Sequence, residues 1–203
     1  MNILIVPKIK EPYPNQTEFS IEENLLIFLK KCFKNCIIDV SYNYEIKKKY
    51  HLIILSGGNT IPKYSKTKKD KLRNKLDIFF FNKAKLTRTP IIGICHGGQF
   101  IATKYKLDLV KDTNHVGSHE IINLSNIKIK FNLIKSFHNF KIKFKKKKYI
   151  ENLVLAKDNS IECFKVKNKK IGAIIWHPER ENKKVLEQIK FFRTFYSIIK
   201  LCN

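Results

Sequence analysis

The chain has 203 residues, 43% of them hydrophobic, and a formal net charge of +24. That suits one globular domain with a sizeable core, and no run approaches the ~18 apolar residues that cross a membrane. The charge comes almost wholly from lysines spread along a sequence also rich in Asn and Ile, arginine is rare, and there is no recognition helix or RNA-binding signature, so a nucleic-acid surface is not expected and an anionic small substrate stays open.

From the N-terminus, MNILIVPKIK lacks the basic–apolar–small order of a signal peptide and reads as a first strand over 2–6. Ser20 and Glu23 form a capping box, followed by Ile21, Leu25, Phe28 and Leu29 at helical spacing. IIDV (37–40) and HLIIL (51–55) are strands. Residues 68–85 are a helix with Leu72, Leu76, Phe79 and Phe80 on one face. PIIGI (90–94) is a further strand, with a helix from about Gly98 to Tyr105. Next come HEIINL, IKIKF, LIKSF, LVLA, SIECFKV and IGAIIW, without helices between them, and a last helix over 182–200 burying Leu186, Ile189, Phe192, Phe195 and Ile199. Continuous apolar strands alternating with helices predict an α/β fold with a mostly parallel central sheet; the strand-rich stretch predicts an antiparallel excursion. No linker or repeat divides residues 1–203, so one domain is expected. The five cysteines (Cys32, Cys36, Cys95, Cys163, Cys202) are odd in number and irregularly spaced; free thiols in a reducing cytoplasm are the expectation.

Only seven glycines occur, and five sit in two loops, each after an apolar strand: Gly57 and Gly58, then Gly93, Gly97 and Gly98. In a parallel sheet the carboxyl ends of strands are where ligands bind. In IIGICHGGQF (91–100) the strand ends, Cys95 turns and a helix begins, with glycines two residues to either side. That is the strand–turn–helix of a nucleophile elbow with Cys in place of Ser. The helix N-terminus favours thiolate, and the His96 amide points the same way, toward a developing oxyanion. A plainer reading is a buried cysteine on a tight turn; a dinucleotide loop lacks the G-x-G-x-x-G order. A thiolate needs a base, and IGAIIWHPERE (171–181) supplies His177 at a strand end. Pro178 keeps His177 extended, and Glu179 can return to bond one imidazole nitrogen, leaving the other for Cys95. The plainer reading there is a surface histidine among solvated charges.

GICHGGQ (93–99) with WHPE (176–179) resembles the class I glutamine amidotransferases, more closely their gamma-glutamyl hydrolase-like branch. LSGGNTIPKY (55–64), HVGSHEI (115–121), SFHN (136–139) and DNSIECF (158–164) fall in the family's order, so the resemblance runs from about residue 50 to 181. It implies a flavodoxin-like three-layer fold, Cys95 as nucleophile, His177 as base and acid, and Glu179 as the orienting carboxylate. It implies oxyanion amides from Gly58 and His96, and a glutamyl pocket drawing on Gly57, Asn59, Gln99, Ser136, Phe137 and His138. Glu162 matches a recurring acidic position. His96 stands where relatives vary, often with arginine, and 136–139 is shorter than in synthetase-coupled members. Such chemistry needs no cofactor and no metal; His115, His119 and His138 read as strand and loop residues rather than zinc ligands.

Three functions are open at this level: a free-standing gamma-glutamyl amide hydrolase, a glutaminase subunit passing ammonia to a synthetase, and a non-catalytic basic binding protein. The first is favoured, since the motifs lean to the hydrolase branch. That branch includes members acting on gamma-glutamyl polyamine intermediates, folate polyglutamates, and gamma-glutamyl-CDP-amidate in capsule phosphoramidate synthesis. A +24 chain repels a polyamine and attracts a nucleotide, which points to an anionic conjugate, with Lys8, Lys10, Lys63, Lys66 and Arg180 as residues that could face a phosphate.

Overall fold

The computed structural model describes residues 1–112, 116–181 and 183–202. Strands β1 (Asn2–Val6), β2 (Lys8–Lys10) and β3 (Glu18–Ser20) lead into helix α1 (Glu23–Cys32) and strands β4 (Ile37–Val40) and β5 (Leu52–Leu55). Helix α2 (Lys68–Thr87), strand β6 (Ile91–Ile94) and helix α3 (His96–Lys104) follow. Then come β7 (Leu109–Lys111), β8 (Val116–Asn123), β9 (Leu133–Phe137), β10 (Phe140–Ile142), β11 (Ile150–Ala156), β12 (Ile161–Val166) and β13 (Ile171–Ile174), and helix α4 (Val185–Leu201) closes the chain.

Among the described residues, the main sheet runs β4-β1-β5-β6-β13-β12-β11-β8-β9, with β10 and β7 attached beside β12. From β4 to β13 every pairing is parallel; from β13 onward every pairing is antiparallel. The inner parallel strands β1, β5, β6 and β13 are apolar on both faces because both are covered, whereas the edge strand β4 leaves Ile37 and Val40 exposed. Ile53, Leu55 and Ile91 pack with Leu76, Phe80 and Phe100 of α2 and α3, while Ile54, Ile92 and Ile94 pack with Phe28, Phe192 and Phe195 of α1 and α4. This is the expected three-layer α/β architecture. Ring contacts such as Phe28–Phe192, 5.4 Å between centroids, lock α1 to α4.

Four local expectations fail. Ser20 does not cap α1: it ends β3, and the cap position is Glu22, with no side-chain cap bond, because its carboxylate is drawn to Arg180 and Lys8. IKIKF (127–131) is not a strand, although Ile127 and Phe131 are buried. Helix α2 turns a different face inward, burying Arg73, Asp77, Phe81 and Ala84 beside Leu76 and Phe80, and leaving Leu72 and Phe79 partly exposed. Leu186, expected in the core, is 65% exposed. No helix among the described residues is long and apolar enough to cross a membrane.

Candidate active site

Three neighbouring strands end together. Leu55 of β5 pairs with Gly93 of β6, and Ile174 of β13 with Ile94 of β6. The chain leaving β6 is the cysteine turn; on one side leaves Ser56-Gly57-Gly58, on the other Ile175-Trp176-His177. Sheet register therefore brings together segments about 40 and 80 residues apart.

Cys95 has φ 50° and ψ −107°, a conformation costly for a residue with a Cβ. Its N–H donates to the Ile174 carbonyl at 2.8 Å, and its carbonyl accepts from the Gln99 N–H at 2.9 Å, starting α3. The helix thus begins at His96, two residues earlier than the apolar pattern indicates. The turn needs glycine beneath it: a Cβ on Gly93 would lie 2.3 Å from the Gly97 backbone. Cys95 is buried at the bottom of a cavity, with the N-terminal turn of α3 below it.

On the other side, the Trp176 indole N–H donates to Gln188 Oε1 at 3.1 Å, and its ring packs against Phe131 and Phe191. That anchors the residue before His177. Pro178 opens a single 3-10 turn, Pro178–Arg180, which folds Glu179 back so that its Oε1 lies 2.6 Å from His177 Nδ1. With Nδ1 occupied, Nε2 is left for the sulfur. A Cβ on Gly57 would stand 2.7 Å from His177 Cε1 and 3.4 Å from Cys95 Cβ, so only glycine lets this loop approach the pair. Burial by itself pushes the His177 pKa down. The negative charge and hydrogen bond of Cys95, then the bond and charge of Glu179, more than offset this and raise it to about 10. His177 thus sits between the Cys95 sulfur and the Glu179 carboxyl group, and both contacts favour its protonated form.

The cavity, about 410 Å³, has Cys95, His96, Gly58 and Gln99 at its base and Phe137, His138 and Phe140 as a wall. The Gln99 amide donates to the Phe140 carbonyl at 2.9 Å. The Asn59 side chain accepts from the Ile9 N–H at 2.8 Å and donates to the Ile9 carbonyl and Asp70, so it braces the loop. Ser136 is fully buried and is not part of the lining: β9 alternates, turning Ser136 inward and Phe137 outward. The rim carries Lys8, Lys10, Lys69 and Arg180; Lys63 and Lys66 are not on it. Glu22 takes the Arg180 guanidinium through two bonds, 2.9 and 2.5 Å, and Lys8 at 3.1 Å. Among the described residues Lys10 and Lys69 pair with no carboxylate. Arg180 also lies 4.8 Å over the Phe137 ring, whose centroid is 5.9 Å from that of His177.

His115 lies outside the described residues, and His119 faces the buried Glu162 at 3.5 Å. Among the described residues no group of three or more His, Cys, Asp or Glu side chains could hold a metal ion. The sequence reading missed the buried Arg73–Asp77 pair and its bond to the His96 ring. The only signal was two opposite charges four residues apart on a helix, which ordinarily marks a solvated face.

A family model described as glutamine amidotransferase class-I matches residues 17–195. The chain is 38% identical over 178 residues, 86% of each protein, to the gamma-glutamyl-CDP-amidate hydrolase of Campylobacter jejuni subsp. jejuni serotype O:2. Solved structures share its fold, two of them as follows. A candidate GMP synthase subunit from Thermoplasma acidophilum has a TM-score of 0.71 at 18% identity, covering 98% of this chain and 94% of that one. A glutamine amidotransferase from Thermotoga maritima has a TM-score of 0.64 at 14% identity, covering 98% and 85%.

Proposed function

Because the chain belongs to the class I glutamine amidotransferase family, we propose that it is a cysteine-dependent hydrolase that cleaves the amide bond of a small gamma-glutamyl conjugate. The observation that carries this is the buried convergence of Cys95, His177 and Glu179 at the bottom of one cavity, with Glu179 bonded to His177 Nδ1 and both neighbours raising the His177 pKa. Residues 1–203 are taken as one catalytic domain.

In this reading the Cys95 thiolate attacks the side-chain carbonyl of the glutamyl group. The tetrahedral oxyanion is held by the amides of Gly58 and His96, each donor worth about 3 kcal/mol. His177 gives its proton to the leaving nitrogen, and a gamma-glutamyl thioester remains. A water then attacks the thioester carbonyl while His177 takes its proton; the thiolate leaves and glutamate is released. Glu179 keeps the imidazole in the tautomer that presents Nε2 to sulfur. Gln99, Phe137 and His138 receive the glutamyl portion, while Gly57 and Asn59 shape the loop beside it; Ser136 supports the wall from behind. No cofactor is required, and a cytoplasmic location accords with five free thiols.

The leaving group is anionic and bears phosphate. Three things support this: Lys10 and Lys69 at the rim, which pair with no carboxylate among the described residues, the +24 charge, and the CDP-amidate in the name of the Campylobacter relative. The test is a hydrolysis panel of cationic, neutral and nucleotide gamma-glutamyl amides, with Cys95→Ala as control. The nucleotide conjugate should be preferred at low salt, and Cys95→Ala should be inactive while folded. Equal rates across the panel defeat the anionic leaving group. Ammonia release from glutamine that occurs only with a partner protein turns the reading to a glutaminase subunit.

A further inference from the structure

Beneath the proposed oxyanion donors lies a buried ionic cluster that the reaction above leaves unused. Arg73 and Asp77, one turn apart on α2, have wholly buried side chains. The Arg73 Nε–H donates to Asp77 Oδ1 at 2.9 Å, and the other Asp77 oxygen bonds His96 Nε2 at 2.9 Å. A second guanidinium nitrogen donates to the Ser56 carbonyl at 2.7 Å, and the Ser56 hydroxyl donates to the Val6 carbonyl at 2.7 Å. His96 follows the cysteine; Ser56 precedes Gly57 and Gly58. One helix turn therefore holds both loops.

We propose that Arg73 and Asp77 are positioning residues that fix the two halves of the oxyanion hole relative to each other, Asp77 through the His96 ring and Arg73 through the Ser56 carbonyl. This rests on the hydrolase reading, which assigns the two amides their role. Stability alone is a poor reason for such a cluster, because a buried ion pair loses about as much in desolvation as it gains by attraction, and apolar residues of similar volume often do as well. Geometry is a better reason. The His96 ring has no protein partner at its other, buried nitrogen, so its orientation depends on the Asp77 bond. Opposite it, Gly57 stands so close to His177 that a small shift of the loop would disturb the cysteine–histidine pair. An apolar substitute would fill the space but would hold neither loop by direction.

The experiment compares the wild type, Asp77→Asn, and the double variant Arg73→Met/Asp77→Asn, which removes both charges. Steady-state hydrolysis of a gamma-glutamyl anilide is measured together with Cys95 alkylation by iodoacetamide, which passes through no oxyanion. Thermal midpoint and backbone amide exchange are followed in parallel. Asp77→Asn should lower kcat by about 10²-fold, as for loss of one oxyanion donor, with KM and alkylation within about threefold of wild type. Exchange should quicken at 56–58 and at 96–98 together, and not in α4. The double variant should recover thermal stability without recovering kcat. Recovery of kcat along with stability overturns the proposal, as does alkylation falling in step with kcat, or loosening of only one loop. A wild type that hydrolyses no gamma-glutamyl amide defeats the hydrolase reading instead, and amide exchange then decides the coupling by itself.

Discussion

The parallel and antiparallel halves of the sheet divide the proposed work. Strands β5, β6 and β13 are buried along their whole length, and the loops they release are packed against one another with room only for glycine. Strand β9 alternates buried and exposed residues, β8 has no fully buried residue, and Phe137 at the end of β9 is 50% exposed. The first half holds Cys95, His177 and the glycine loop; the second contributes the Phe137–His138 wall. Groups that make and break bonds need fixed positions, which strands held on both faces provide. Groups that read a substrate tolerate more freedom. If this division is right, substitutions in the parallel half lower kcat, and those in the antiparallel half raise KM.

The sharpest test is Glu179→Gln. The amide keeps the shape but can hold His177 in the wrong tautomer, and it removes a carboxyl group that raises the His177 pKa. We expect kcat to fall by roughly 10²- to 10⁴-fold. In the wild type, the alkaline limb of kcat/KM should lie far above the ordinary histidine range, near pH 10, because activity is lost when His177 gives up its proton there. In Glu179→Gln that limb should move to lower pH. An unchanged limb means that Glu179 does not charge-stabilise the histidine.

Gly57→Ala should come next. The added methyl would sit 2.7 Å from His177 Cε1, so the ring must shift, and a shift of about 1 Å is enough for roughly a 10²-fold loss in kcat. Thermal stability should change little if the ring gives way, and KM should hold. A normal kcat would mean the loop relaxes more easily than its burial implies, which would break the contrast between the two halves.

Why some of this was legible in the sequence and some was not follows from range. The apolar runs at 2–6, 52–55 and 91–94 announce buried strands by themselves, and Cys95 among its glycines and His177-Pro178-Glu179 are motifs whose geometry is set within a few residues. Glu22 is different. It lies inside an S-x-x-E stretch that suggests a helix cap, yet its partner Arg180 is 158 residues away, and no local rule contains that distance. Arg73 and Asp77 show the same limit from the other side: charged residues on a helix default to solvent, and only the tertiary position of His96 reveals that these two face inward. The resemblance puts Ser136 and Phe137 together in the pocket, but alternation along β9 separates them. Leu186 has core spacing with Ile189, but spacing does not say where the covering layer ends.

In the antiparallel half, Phe137→Ala tests recognition. Its ring meets the Arg180 guanidinium on one side and the His177 ring on another, and removing it forfeits about 1 kcal/mol of apolar and cation–π contact. We expect KM for the gamma-glutamyl substrate to rise about fivefold with kcat nearly unchanged. A fall in kcat of the size seen for Gly57→Ala would show that Phe137 also fixes His177, and the two halves would then share the chemistry.

The smallest effect concerns stability on the parallel side, where Glu22 joins Lys8 of β2 to Arg180 beyond β13. Burial would raise the Glu22 pKa, but the bonds and charges of Arg180 and Lys8 outweigh it and hold it at about 2, against an ordinary value of 4.5. A carboxyl whose folded pKa lies below its unfolded one adds stability in full above the unfolded value and loses it as pH falls through the folded one. The contribution is therefore complete above pH 4.5 and fades between there and about 2. The group is half-exposed, so screening limits it to about 1 kcal/mol, or roughly 2–4 °C in Tm. Glu22→Gln should cost that much at pH 7, and the gap to wild type should close on acidification toward pH 2. A gap that stays constant with pH would assign the loss to packing rather than to charge.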